Sequence, residues 1–193
     1  MSATEKLVAE WGIEAVNLRD VGREADQRNN SVVQYHFGTK EILVGAVIDA
    51  RLPTLDARYR VLLDELEQSG RLREPGALAH VLVDPLLELD QAEEDRCFLG
   101  FLAAMLTAPH WEPLLVERED FQNLFQRVEA VIVSAGVPVD VAAQRLRLAW
   151  LMLVVSLSTR RSVDGTGVRA ELVDAVTGLL GAPSPAVAGS GKR

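Results

Sequence analysis

Leu18–Lys40 reads LRDVGREADQRNNSVVQYHFGTK, and this stretch decides how the N-terminal region folds. It divides into two short helices, about Leu18–Ala25 and Asn29–His36, joined by a tight turn and followed by an aromatic cluster and a longer capped helix. That arrangement is a helix-turn-helix. In such a unit the first helix braces across the DNA backbone and the N-terminal half of the second enters the major groove, so its residues must be small or hydrogen-bonding. Asn29, Asn30, Ser31 and Gln34 meet that need, because Asn and Gln pair bidentately with adenine edges and Ser serves several bases or a phosphate. Val32 and Val33 supply the inward face and options for methyl contacts. Taken in isolation the same residues also describe an ordinary connector: Asn29–Asn30 is a turn signal, and Tyr35–His36–Phe37 is a core and interface aromatic cluster.

Working outward, a helix around Glu5–Trp11 ended by Gly12 precedes this unit. Asn17 is placed to cap the second helix, with Asp20 in the capping-box position. Thr39 is an N-cap for a fourth helix that runs past Leu52 toward Glu67 despite Pro53. Later breaks fall at Ser69–Gly70, Glu74–Gly76, Leu89–Ala92, Ala108–Pro109, Gly136–Pro138 and Gly165–Gly167, cutting the remainder into about five further helices. Apolar positions recur at helical spacing and no segment shows sustained strand alternation, so the expectation is an all-α chain. Residues 1–40 read as a DNA-binding domain, 41–181 as a larger helical domain, and 182–193, rich in small residues, Gly and Pro, as a flexible tail.

Composition narrows the function. The 193 residues are 48% hydrophobic, ample for a packed core, and carry a net charge of −8. That charge argues against nonspecific polyanion binding, so any DNA contact must be local. Met1–Ala50 holds five basic residues against eight acidic ones, and Glu5, Glu10, Glu14 and Asp49 fall in segments able to point away from DNA. The single cysteine, Cys97, excludes an internal disulfide, and the scattered His36, His80 and His110 supply no metal-ligand spacing, so neither metal nor cofactor is expected. No signal-peptide pattern is visible, and the longest apolar stretch, Leu148–Val155, is shorter than the roughly 18–20 residues of a membrane span. A cytoplasmic protein with no membrane partner is the expectation.

The segments AEWGIEAVNLRDVGREA (from Ala9) and QYHFGTKE (to Glu41) resemble the signature of the TetR family of transcriptional regulators. The resemblance implies a helical homodimer formed by the last two long helices, an effector cavity in the C-terminal domain and operator DNA as partner. It places His36 at a phosphate, Phe37 in the packing of the small domain, and Lys40 at the backbone phosphate contact that opens the fourth helix. Asn17 stands where Thr or Ser is usual, a phosphate contact through a helix N-terminus. Tyr35 adds a phosphate or sugar contact. The turn before the recognition helix is one residue longer than the common pattern, which leaves open which of Arg28, Asn29 and Asn30 reaches a base. Gln34 replaces a usual Tyr, Gly22 an Ala and Asp26 a Gly, and the chain begins closer to Leu7 than family members do.

In the C-terminal part, Leu86, Phe98, Phe101, Met105, Trp111 and Phe121 are candidates to line an apolar cavity for an apolar or amphipathic effector, though aromatics and Met at this spacing also form ordinary core. Leu146, Trp150, Leu153, Val154 and Leu157, with Leu172 and Val176, are candidates for a four-helix dimer interface across a two-fold axis, faces that a monomer would bury internally. A symmetric dimer would set its recognition helices about 34–36 Å apart, or a multiple of that, and read a palindrome. No nucleophile context or phosphate-cradling glycine loop points to catalysis. The rival reading is a helical ligand- or protein-binding module without operator binding.

Overall fold

The computed structural model describes residues 2–25, 31–91, 93–160 and 167–183, and among them it is entirely helical, with no strand. Ten helices follow in order: α1 Ser2–Trp11, α2 Leu18–Glu24, α3 Ser31–Phe37, α4 Lys40–Gln68, α5 Pro75–Leu89, α6 Glu93–Thr107, α7 Glu112–Val116, α8 Glu119–Ser134, α9 Val139–Ser158 and α10 Val168–Gly181. The expected breaks that lie among the described residues fall where Gly, Pro and Asp interrupt the helical pattern. One further break, at Glu117–Arg118, carries neither Gly nor Pro. Arg118 is extended there (φ −68°, ψ 134°), and its guanidinium reaches the Asp49 carboxylate and, at 3.4 Å, the Gly45 carbonyl on α4. The chain is turned at this point by a tertiary contact.

Helix α4 runs unbroken through Pro53, whose missing N–H leaves the Asp49 carbonyl without a helical partner. Pro53 and Asp49 are both exposed, so the interruption lies on the solvent side of the helix. On the opposite face α4 buries Leu52, Leu55, Tyr59 and Leu63 against α5 and α8. Tyr59 is fully buried, and burial pushes its hydroxyl well above the usual phenol range. The hydroxyl donates to the Leu82 carbonyl at 3.4 Å and accepts from the Trp150 indole N–H at 3.2 Å, so both polar groups enter the core paired.

Helix α9 is the central strut. Its length and apolar composition would suffice to cross a bilayer. Here it packs among α5, α6, α8 and α10, with Leu146, Trp150, Leu153, Val154 and Leu157 buried. Arg145 is buried too, and donates to the carbonyls of Leu180 at 3.1 Å and Pro183 at 3.3 Å. It thereby places a cation on the unsatisfied, partly negative C-terminal end of α10.

The small N-terminal unit is fixed to this bundle mainly through α1 on α6. A Cβ at Gly100 of α6 would lie 2.5 Å from the Ala9 Cβ of α1, so the two backbones approach to a distance only glycine allows. Beside that contact, Arg51 of α4 lies between Glu5 of α1 (3.5 Å) and Asp95 of α6 (2.5 Å), with its guanidinium 4.9 Å from the centre of the Phe98 ring.

Candidate nucleic-acid interface

Local chemistry builds the helix-turn-helix. The Asn17 side chain accepts from the backbone N–H of Arg19 (3.0 Å) and Asp20 (3.1 Å), while the Asp20 carboxylate accepts from the Asn17 N–H at 3.4 Å: a complete capping box starts α2. Val21 and Val33 turn inward, with Ile13, Val16, Leu43 and Val44, to form the small core. Helix α3 ends at Gly38, whose φ of +69° lets its N–H return to the Gln34 carbonyl at 2.9 Å. Thr39 then caps α4 by accepting from the Ile42 N–H at 3.3 Å. The two short helices are thereby held at a fixed angle with α3 outward.

Gln34, Tyr35 and His36 project from the outer face of α3. Tyr35 is 86% exposed, an unusual setting for an aromatic side chain that has no buried role, and it meets His36 edge-on at 5.8 Å. Phe37 is half-buried and packs on the core. Asn17, Gln34 and Lys40, three of the expected contacts, line one open concavity of about 480 Å³ together with Leu18, Arg19, Gly38 and Thr39. Among these lining residues the charged ones, Arg19 and Lys40, are both basic. Arg19 is not among the contacts expected from the sequence, yet it stands exposed in the first turn of α2; a cation next but one to the Asn17 cap was the available signal. Ser31 opens α3, whereas Arg28, Asn29 and Asn30 lie outside the described residues.

Four of the eight acidic residues among the first fifty are held by partners distant in the sequence. Glu5 faces Arg51, Glu14 accepts the Trp111 indole N–H at 2.8 Å, Asp49 receives Arg118, and Glu24 pairs with Lys6 at 2.5 Å. Three of these four carboxylates point toward the large domain or the helix leading into it. Lys40 is held from the same side: its ammonium donates to the Glu14 carbonyl at 3.2 Å and lies 5.1 Å from the centre of the Trp111 ring. Burial in that position lowers its pKa, opposed by the Glu14 and Glu41 carboxylates.

The residues expected to line an effector cavity separate into three settings. Leu86, Phe98, Phe101 and Met105 are fully packed core. Trp111 lies between the large domain and the helix-turn-helix. Phe121 lines a pocket of about 440 Å³ between the end of α6, α7, α8 and α9, with Leu106, Val116, Phe125, Leu146, Trp150 and Leu151. Phe121 and Phe125 stack at 4.3 Å, and both meet Trp150 edge-on. Glu112 and Arg147, paired at 2.6 Å, stand at this pocket with Gln122 and Glu129. Among the residues expected at a dimer interface, Leu146, Trp150, Leu153, Val154, Leu157 and Val176 are buried within the single chain, and Leu172 is half-buried. The apolar side chains that α9 leaves uncovered are others: Val139, 60% exposed, at its start, and further along Leu148, 49% exposed, with half-buried Leu151 and Met152 one turn on and Val155 two turns on.

With this geometry in place, comparison with known proteins adds a similarity to named helix-turn-helix regulators. The chain is 34% identical over 99 residues to the HTH-type transcriptional repressor Rv3405c of Mycobacterium tuberculosis (strain ATCC 25618 / H37Rv), covering 47% of this chain and 50% of that protein. It matches the HTH-type transcriptional regulator Mb3439c of Mycobacterium bovis (strain ATCC BAA-935 / AF2122/97) to the same extent. The chain thus spans about half the length of the curated relatives it matches. No protein-family profile matches it.

Proposed function

We propose that this protein is a transcriptional regulator of the TetR type, a homodimer that binds palindromic operator DNA through α2 and α3 and is released by a small apolar or amphipathic effector. The observation that carries the reading is the face formed by Asn17, Arg19, Gln34 and Lys40 beside exposed Tyr35 and His36: hydrogen-bonding and basic groups set around two capped helix starts. Helix N-termini and cations there suit phosphates, which hold the unit in register, while the start of α3 meets base edges. The likeness to two helix-turn-helix regulators supports the same class.

Dimerisation uses the uncovered stripe of α9, Leu148, Leu151, Met152 and Val155, alongside α10, because pairing with a second copy across a two-fold axis removes that apolar area from water. The effector enters the pocket at Phe121, Phe125 and Trp150, whose aromatic walls and Glu112–Arg147 rim suit an amphipathic molecule. Ligand and DNA then oppose each other by linkage, each favouring a different arrangement of the two small domains.

Selection of bound duplexes from a random-sequence pool tests this reading. An inverted repeat should be enriched, with Asn30→Ala altering which bases are preferred and Lys40→Ala weakening every sequence alike. The acidic net charge of −8 favours a second reading, a helical module that binds a ligand or protein and no operator. That reading would leave the pool unenriched.

A further inference from the structure

Trp111 and Glu14 are 97 residues apart in the chain, yet the indole N–H and the Glu14 carboxylate oxygen are 2.8 Å apart. Over the same indole ring, at 5.1 Å, lies the ammonium of Lys40, which also donates to the Glu14 carbonyl. We infer that Trp111 is a positioning residue for Lys40, holding its ammonium at the rim of the DNA-facing concavity and linking that position to the pocket of the large domain. The inference rests on the regulator reading of Lys40 as a phosphate contact.

The chemistry favours an indole at this position. A free lysine head samples many rotamers, and each must be given up when a phosphate is bound. An indole restrains it in two ways at once: its face attracts the cation, and its N–H anchors the segment that supplies the lysine's carbonyl acceptor. One acceptor and one ring leave the ammonium further N–H groups for an incoming anion. Trp111 itself is only 3% exposed, and its backbone N–H bonds the Ala108 carbonyl at 2.9 Å, so the ring is fixed rather than draped on the surface.

The same residue stands beside the pocket. Trp111 immediately precedes α7, whose first residue, Glu112, pairs with Arg147 of α9 at the pocket rim. Leu115, fully buried, ties α7 to the core. A molecule that separates Glu112 from Arg147 would displace the start of α7, and with it the ring under Lys40. This gives the pocket a route to one phosphate contact that does not require α4 to move as a whole.

The test uses the full chain and a fluorescein-labelled palindromic duplex taken from the selection. Affinity is measured against salt for the native protein, Trp111→Leu, Trp111→Phe, Lys40→Ala and the Trp111→Leu/Lys40→Ala double variant, each checked by circular dichroism for native helix content. Lys40 acetylation by acetic anhydride, without DNA, is followed by peptide mass spectrometry. Trp111→Leu is expected to weaken binding by about three- to tenfold, the range that ordering one rotamer-rich side chain in advance supplies. It should also lower the slope of log affinity against log salt by about one phosphate contact. The double variant should lose little beyond Lys40→Ala alone, Lys40 should label faster in Trp111→Leu, and Trp111→Phe, which keeps a ring, should fall between. Unchanged or tighter binding in Trp111→Leu, a fully additive double variant, or unaltered Lys40 labelling overturns the inference while leaving the regulator reading intact. Failure of the native protein to bind any selected duplex removes the regulator reading, and this inference with it.

Discussion

Helices α3 and α9 put their side chains to opposite uses. Over seven residues α3 turns Gln34, Tyr35 and His36 to solvent and contributes Val33 to the core, so it is held in place by the Gly38 turn and by its neighbours more than by its own burial. Over twenty residues α9 buries eight side chains, among them Trp150 and Arg145, and leaves one apolar stripe uncovered. A helix with little buried area keeps its position only if adjoining segments fix both of its ends, whereas a heavily buried helix is placed by the whole core. The exposed face of α3 is therefore sensitive to caps and latches, and the bundle to volume.

Four substitutions sharpen or break that contrast. The largest effect is expected for Trp150→Ala, which removes the ring against Phe121 and Phe125 and the hydrogen bond that the Tyr59 hydroxyl accepts; urea denaturation should show a loss of about 3–5 kcal/mol. A loss below about 1 kcal/mol would mean α9 is not the strut it is taken for. Gly100→Ala drives a methyl into Ala9, and since α1 must retreat from α6, about 1–3 kcal/mol should be lost in the same assay. Next comes Asn17→Ala, which deletes the capping box of α2; it should cost about 1 kcal/mol and weaken duplex binding, with both effects largely restored by Asn17→Ser. Smallest in folding energy is Leu148→Glu, a change at a half-exposed position that should move monomer stability by no more than about 0.5 kcal/mol. In sedimentation velocity, however, it should convert dimer to monomer; an undisturbed dimer would place the interface on another face.

What the sequence disclosed divides along the same line. The Asn17 cap, the Thr39 cap and the breaks at Gly and Pro are decided by interactions within three or four residues, and these were legible. The Glu117–Arg118 break was not, because Arg118 is extended by partners 69 and 73 residues away. Pocket and interface residues were harder still. Phe98, Phe121 and Trp111 present the same apolar signal at helical spacing, yet one is core, one lines a pocket and one faces Lys40, a difference made by which helices surround them. The acidic balance of the first fifty residues looked adverse to DNA binding, since a count of charges carries no direction. Glu5, Glu14 and Asp49 are each committed to a partner on the bundle side.

The most direct test of the central claim is a fluorescence-anisotropy titration of the selected duplex at two salt concentrations, with Lys40→Ala alongside. The account predicts saturable binding at two protomers per duplex that weakens steeply as salt rises, and a uniformly weaker Lys40→Ala whose salt slope is smaller by about one. Binding that is indifferent to salt, or a folded dimer that binds no duplex at all, would contradict it.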